Sequence, residues 1–206
     1  MKTMRLAPLL LAAGTGLLMS GPGTRCHAAL YAYNAYAIVN DGSGNTYYDV
    51  DQSTSNPDFV NHTFSINFGQ SLKLGGQVTA DAGDGQPAAN GPDWAVLWYK
   101  IDNGSPTSLS LPSLTDFGTS GWKVQFEEAN SANMAQIGSG LSVGTHTLAI
   151  WFQAHDNNQP LDAYLSNGGL NYTASIEVVP EPVNTALGIT AGIAALGAFW
   201  RRRPWR

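Results

Sequence analysis

Cysteine and positive charge are scarce in this chain. Its one cysteine is Cys26, near the N-terminus, and residues 29–179 contain no arginine and only three lysines. A single cysteine forms no internal disulfide, so folding must depend on a hydrophobic core. Residues 29–179 carry fourteen acidic side chains against those three lysines, a net charge of −11, whereas the whole chain carries −5. Such an acidic surface repels phosphate backbones and argues against nucleic acid as a partner.

Long apolar segments are confined to the two ends, and the first lies at the N-terminus. Two basic residues precede an apolar stretch at 6–19, and small residues follow near Ala28. This order is typical of a secretory signal peptide. We therefore predict a signal helix within a signal peptide at 1–28, cleaved by signal peptidase after Ala28 or, alternatively, Ala29. Arg25 directly before Cys26 argues against a lipoprotein, because a small residue normally precedes the lipid-modified cysteine.

The second apolar segment lies at 183–200 and contains no charged residue. At about 1.5 Å per residue it reaches roughly 27 Å as a helix, close to the thickness of a bilayer core. Pro180, Glu181 and Pro182 precede the segment, and a basic tail follows it. The tail consists of Arg201, Arg202 and Arg203, with Arg206 close behind. Basic residues beside a membrane helix stay in the cytoplasm, so the preceding chain is predicted to lie outside.

The tail at 180–206 resembles the PEP-CTERM sorting signal. It has the same three parts in the same order, a Pro-Glu-Pro motif, an apolar segment and a basic end. In that family an exosortase in the membrane recognises the tail, processes it near the motif and releases or transfers the protein. Such proteins belong mostly to Gram-negative bacteria that produce exopolysaccharide. The resemblance implies export through the inner membrane, transient anchoring by a transmembrane helix at 183–200, and a final place at the cell surface or in the extracellular matrix.

The stretch 29–179 has the composition of one all-β domain. It is rich in Gly, Asn, Ser and Thr, has many aromatic residues, and lacks long helical patterns. Short alternating segments separated by turn residues predict an antiparallel β-sandwich. The predicted strands are 30–39, 58–68, 72–80, 94–101, 107–111, 121–126, 145–154 and 170–179. One short helix is predicted within 127–137.

Two of these segments resemble paired strands of bacterial immunoglobulin-like domains. Residues 98–104 read Trp-Tyr-Lys-Ile-Asp-Asn-Gly, and the segment 141–156 begins Leu-Ser-Val-Gly-Thr-His-Thr-Leu. The resemblance implies that the two strands face each other in an immunoglobulin-like sandwich. A jelly roll is the alternative, because the loops at 81–93 and 127–140 are longer than a minimal immunoglobulin-like domain requires.

Aromatic residues give the first candidate site. Period-two alternation places Trp94, Val96 and Trp98 on one face of their strand. Tryptophans on a solvent-facing side would stack on sugar rings, whereas on the inner side they would form core. The sequence leaves both open, with Trp94 the best exposed candidate. The candidate carbohydrate-binding residues are Trp94, Trp98 and Trp122.

Oxygen-bearing side chains give the second candidate site, in the segments 41–51 and 81–93. The first is spaced rather like a calcium loop but lacks the glycine and the bidentate glutamate of an EF-hand. Calcium ligands and ordinary turn formers are the two interpretations. The candidate ligands are Asp41, Asp49, Asp51, Asp81, Asp84 and Asp93.

Catalytic signatures are weak. Adjacent Glu127 and Glu128 resemble glycosidase acids only in type, because such acids must face each other across a sugar. We therefore expect a non-enzymatic exported protein of the cell surface or matrix, associated with exopolysaccharide. The alternatives are a carbohydrate-binding module and, less favoured, a glycoside hydrolase.

Overall fold

The computed structural model describes residues 30–51, 54–82, 91–116, 123–157 and 161–181. In these ranges the chain forms twelve β-strands, no α-helix, and one 3-10 turn at Asn167–Gly169. The strands are β1 (Tyr31–Asn40), β2 (Asn45–Asp49), β3 (Thr63–Asn67), β4 (Leu72–Asp81), β5 (Trp94–Ile101), β6 (Thr107–Leu111), β7 (Ser113–Asp116), β8 (Lys123–Glu128), β9 (Ala135–Ile137), β10 (Gly144–His155), β11 (Ala163–Leu165) and β12 (Tyr172–Val179).

The strands form two six-stranded sheets. Sheet A has the order β2-β1-β4-β8-β7, and β9 pairs with the first part of β4. Sheet B has the order β3-β12-β10-β5-β6, and β11 pairs with the last part of β10. Among these strands the neighbours run antiparallel apart from β3 and β12, which run parallel.

The two sheets pack face to face around one hydrophobic core. Val78 and Phe126 of sheet A and Leu97 and Phe152 of sheet B belong to the same buried cluster. At Gly76 of β4, a Cβ atom would lie only 3.0 Å from the ring of Phe152. Glycine therefore lets sheet A approach the aromatic ring of the opposite sheet closely. The prediction of an all-β sandwich is confirmed.

The eight predicted strands are all present, and 94–101 and 107–111 have the predicted bounds. The predicted helix within 127–137 is wrong. Glu128 ends β8 and accepts a hydrogen bond from the amide of Asn130, which begins a single turn. The chain then enters β9, whose residues pair with Leu72–Leu74 of β4. Pairing with a distant strand thus decides the conformation of this segment.

The two terminal segments lie outside the described residues. This applies to the signal helix at 1–28 and to the transmembrane helix at 183–200. Within the part of the chain that the structure describes, no helix has the length and apolar character needed to cross a membrane.

Candidate functional site

The candidate site lies on the side of sheet B that faces away from the core, called here the outer face. Along β5, Ala95 and Leu97 are buried in the core, and the intervening side chains point outward. Antiparallel register pairs Trp94 with His155, Val96 with Gln153, and Trp98 with Trp151. Because paired residues share a face, two neighbouring strands place their aromatic residues side by side.

These aromatic residues form two stacked pairs. The rings of Trp98 and Trp151 are nearly parallel, with an interplanar angle of 5° and centroids 6.0 Å apart. The rings of Trp94 and His155 have centroids 4.9 Å apart and an angle of 19°. Trp94 and Trp98 are four residues apart on one strand, so the two pairs are about 13 Å from each other.

A chain of hydrogen bonds connects the two pairs. The indole N–H of Trp98 donates to Oε1 of Gln153 at 2.7 Å. Nε2 of Gln153 donates to Oδ2 of Asp162 at 2.5 Å. The other carboxylate oxygen of Asp162 lies 2.6 Å from Nδ1 of His155. The amide of Gln153 thus fixes the indole of Trp98, and the carboxylate of Asp162 fixes the imidazole beneath Trp94.

Asp162 and His155 shift each other's pKa. The hydrogen bond from His155 is the main cause that lowers the pKa of Asp162. The hydrogen bond to Asp162 is the main cause that raises the pKa of His155, with a further contribution from Asn157. The pair therefore favours an imidazolium against the face of Trp94, an arrangement that cation–π attraction supports.

The loop between β10 and β12 adds an apolar edge to this face. Tyr164 of β11 pairs with Gln153 and is 58% exposed. Leu161 and Leu170, at either end of the same segment, are 77% and 81% exposed. Because paired residues share a face, Tyr164 lies on the outer face beside Gln153.

An open pocket continues the outer face beyond the Trp98–Trp151 pair. Its volume is about 340 Å³. Lys100 follows Trp98 on the same side of β5, and its partner across the strands is Ala149 of β10. The residues that line the pocket are Lys100, Asp102, Asn103, Thr147, Ala149, Leu170, Asn171 and Thr173.

Asp102 lies at this end of the outer face, and both of its carboxylate oxygens form hydrogen bonds within the protein. Its Oδ1 accepts the backbone N–H of Thr147 at 2.8 Å, and its Oδ2 lies 2.7 Å from Nδ1 of His146. Asp102 adopts a positive φ of 51°, a conformation that Asn and Asp tolerate in tight turns. These bonds connect the end of β5 to β10. The expectation that the two strands face each other in the sandwich is wrong, because they are hydrogen-bonded neighbours within one sheet.

The structure places three of the tryptophans outside the core. Trp94 is 38% exposed, and Trp98 and Trp151 are half-buried on the outer face. The buried hydrophobic cluster in the described residues contains no tryptophan. Of the two interpretations left by the sequence, the outward orientation therefore applies to Trp94 and Trp98. Trp122 lies outside the described residues.

The acidic residues of 41–51 do not converge. Asp41 lies in the β1–β2 turn and accepts hydrogen bonds from Ser43, whereas Asp49 ends β2. Asp49 is buried and accepts hydrogen bonds from Thr54, and Asp51 accepts the backbone N–H of Ala35. Part of the proposed loop is thus strand, which separates Asp41 from the other two carboxylates.

The acidic residues of 81–93 also have separate roles. Asp81 ends β4 and pairs with Lys123 at 3.5 Å. Asp93 accepts the backbone N–H of Asn157 at 2.6 Å, which connects the chain before β5 to the end of β10. Asp84 lies outside the described residues, so calcium at this loop stays a prediction. No group of three His, Cys, Asp or Glu residues in the described ranges has a geometry suited to a metal ion.

Glu127 and Glu128 are consecutive residues of β8, and they differ in environment. Glu127 accepts a hydrogen bond from the hydroxyl of Tyr47 at 3.1 Å. Glu128 is buried and bonds to the backbone of Asn130. Consecutive strand residues point to opposite faces, so these two carboxylates do not face each other across a shared cleft.

Sequence reasoning did not place Trp151, Gln153 and His155 beside the candidate tryptophans. In β10 these three residues alternate with the apolar, buried residues Ile150, Phe152 and Ala154, and this alternation could have indicated that they face outward. The register between β5 and β10 was the missing information, because a shift of one residue would turn these side chains to the other face.

Comparison of the whole chain with known protein families and with curated proteins found no significant match.

Proposed function

We propose that this chain is an exported, non-enzymatic protein of the cell surface or extracellular matrix that binds exopolysaccharide on the outer face of sheet B. The observation that carries the proposal is the pair of aromatic stacks on the solvent side of β5 and β10. Trp98 and Trp151 lie parallel within 5°, and Trp94 is 38% exposed. This geometry favours the carbohydrate-binding alternative over a purely structural role.

The chemistry of sugars suits such a surface. A pyranose ring has an apolar face of C–H groups and an edge of hydroxyls. Large aromatic faces contribute most of the contact energy at binding sites, and nearby polar groups determine orientation. The outer face offers both, because indole rings lie beside the amides and hydroxyls of Gln153, Ser108 and Ser110.

The proposed fold is immunoglobulin-like, and the strand order supports it. In that fold one sheet contains strands A, B, E and D, and the other contains C, F and G, with C′ added in the variable type. When β1, β4, β8 and β7 are taken as A, B, E and D, they reproduce the order of sheet A. The order β12-β10-β5-β6 then corresponds to G, F, C and C′. We therefore prefer this fold to a jelly roll.

The proposed route to the surface uses the two ends of the chain. Signal peptidase removes 1–28, and the segment 183–200 holds the protein in the membrane until an exosortase processes the tail near Pro180, Glu181 and Pro182. The resemblance to the PEP-CTERM signal and the apolar and basic character of 183–203 support this route. The acidic, arginine-free domain then lies outside the cell.

Affinity electrophoresis through gels that contain the exopolysaccharide of the producing bacterium tests the proposal. The full chain is purified in a detergent without a sugar headgroup, which avoids competition for the site. We expect the polymer to retard the wild-type protein. Trp98→Ala should weaken binding by roughly tenfold or more, because each lost aromatic contact is worth about 0.5–1.5 kcal/mol beyond its buried area.

Tyr31→Ala is the matched control, because Tyr31 is an exposed aromatic residue of sheet A, 57% exposed. It should bind like the wild type. Trp98→Phe keeps an aromatic face and should retain most of the affinity, which separates stacking from folding. Equal retardation of the wild type and Trp98→Ala, or no retardation of the wild type, would contradict the proposal.

A further inference from the structure

We infer that the polysaccharide is an extended chain that carries carboxylate groups, and that Lys100 binds one of these carboxylates in the pocket beside the Trp98–Trp151 pair. The inference deepens the proposed function and rests on it. The observation behind it is a lysine whose ammonium group has no partner among the described residues, in an open pocket that continues an aromatic surface.

The three lysines of the domain differ in their partners. Lys73 donates to the carbonyl oxygen of Ser131 at 2.9 Å, and Lys123 pairs with Asp81. The side-chain Nζ of Lys100 makes neither a hydrogen bond nor an ion pair with any of the described residues. It is also the lysine of sheet B, where it lines the pocket. Its ammonium group therefore retains its donors for a ligand.

The carboxylate of Asp102 does not take this role, although it lines the same pocket. Both of its oxygens are engaged, one by the backbone of Thr147 and the other by His146. The hydrogen bond with His146 lowers the pKa of Asp102 and raises that of His146. The carboxylate of Asp102 therefore interacts with β10, and it does not form an ion pair with Lys100.

The remaining polar lining also suits an acidic sugar. Asn103, Asn171, Thr147 and Thr173 line the pocket, and their side chains carry amide and hydroxyl groups. These groups donate hydrogen bonds to carboxylate and hydroxyl oxygens. A charged donor among neutral ones makes the strongest bond with an anionic oxygen. A uronic acid ring offers that oxygen at its edge.

The distances along β5 favour a chain rather than a single sugar. Trp94, Trp98 and Lys100 point to the same side of the strand. At about 3.3 Å per residue, the distance from Trp94 to Lys100 is roughly 20 Å. A ligand that contacts both stacks and the lysine therefore spans several sugar units. Shorter oligosaccharides would lose either the Trp94–His155 pair or the ammonium group.

The attraction between Lys100 and a carboxylate acts at short range, and it must overcome the overall negative charge of the domain. Residues 29–179 carry a net charge of −11, so the domain as a whole repels a polyanion. Repulsion between exposed, distant charges is screened at physiological salt over about 8 Å. A direct contact with Lys100 persists under those conditions. Removal of Lys100 should therefore have a much larger effect than removal of another lysine.

The test compares two forms of one polymer and two lysine variants. The polymer is the exopolysaccharide of the producing bacterium, before and after chemical reduction of its carboxylates to hydroxymethyl groups. The variants are Lys100→Gln and the matched control Lys73→Gln, which changes the net charge equally on sheet A. Binding of the full chain is measured at physiological salt, and thermal melts verify that both variants fold.

We expect carboxylate reduction and Lys100→Gln each to weaken binding by about tenfold, the loss of one charge-assisted contact. The two changes should not add, and Lys73→Gln should bind like the wild type. If the reduced polymer binds the wild type as tightly as the native polymer, or if Lys100→Gln behaves like Lys73→Gln, the inference is overturned. Loss of binding in Trp98→Ala would then still support the proposed function. If neither polymer binds the wild type, the proposed function and the inference both fail.

Discussion

At the scale of single residues, the His155–Asp162 pair determines how the Trp94 end of the outer face responds to pH. Its Nδ1 to Oδ1 distance is 2.6 Å. The pKa of His155 is raised, so its contribution to stability is present below the unfolded value of about 6.5 and is lost as pH rises through the folded value. The pKa of Asp162 is lowered, so its contribution is present above about 3.9 and is lost as pH falls through the folded value.

The pair should therefore stabilise the fold most between about pH 4 and pH 6.5. The melting temperatures of the wild type and His155→Gln are compared from pH 4 to pH 9. We predict that the wild type melts higher, that the difference in melting temperature is largest in that acidic window, and that it narrows as pH exceeds the raised pKa of His155.

Asp162→Asn is the companion variant, because it removes the charge on the other side of the pair. Its curve should follow that of His155→Gln through the same window. A gap that is flat from pH 5 to pH 9, or that widens above pH 8, would show that the ion pair does not govern this response.

At the scale of elements, β4 packs closely against its neighbours at two consecutive glycines, Gly75 and Gly76. Along one edge, β4 pairs with β9 up to Leu74 and with β8 from Gly76 onward. Gly75 lies between these two residues. A Cβ atom there would collide with the carbonyl oxygen of Glu128 and would lie 3.1 Å from the side chain of Met134. The backbone of β8 cannot move away as easily as a flexible side chain can.

Gly75→Ala should therefore lower the free energy of unfolding by about 3 kcal/mol, at the upper end for overpacked sites. Gly76→Ala is the matched comparison, because its new methyl group meets only side-chain atoms of Phe152 and Leu97, at 3.0 and 3.2 Å. Its cost should be nearer 1 kcal/mol, since those side chains can shift. Urea unfolding measures both variants, and wild-type stability of Gly75→Ala would refute the packing account.

The longer elements were predictable from local pattern, and the shorter ones were not. In β5 the buried residues Ala95 and Leu97 alternate with outward residues, and in β10 Ile150, Phe152 and Ala154 do the same, which gives a clear period. β9 and β11 have three residues each and exist because longer strands offer them an edge. β2 has only five residues and follows directly on the turn residues of 40–45, so its own pattern was too short to be recognised. The local sequence of a short strand does not show that a distant strand will pair with it.

At the scale of the whole molecule, the candidate site depends on contacts between distant parts of the chain. The sequence predicts that Trp94 and Trp98 share a face. It does not predict that Gln153, 55 residues after Trp98, bonds to the indole. That contact requires the β5–β10 register and the position of Asp162 in the following loop. Alternation alone also does not determine which face of a strand is buried.

The export proposal makes a prediction about mass. Protein recovered from the medium of the producing bacterium should begin near Ala29 and end near Pro180, because both targeting segments have been removed. Intact-mass spectrometry measures this directly. A single membrane-bound form that retains Arg201, Arg202 and Arg203 would instead indicate an ordinary anchor, without exosortase processing.

The central claim is that polysaccharide binds the outer face of sheet B, and the indole N–H signals of the chain test it most directly. The chain has six tryptophans. Each contributes one indole signal to a ¹H–¹⁵N NMR spectrum, and single substitutions assign them. During titration with fragments of the exopolysaccharide, we predict shifts of the Trp94, Trp98 and Trp151 signals, while those of Trp200 and Trp205 stay in place. Binding that leaves Trp98 and Trp151 unchanged would contradict the account.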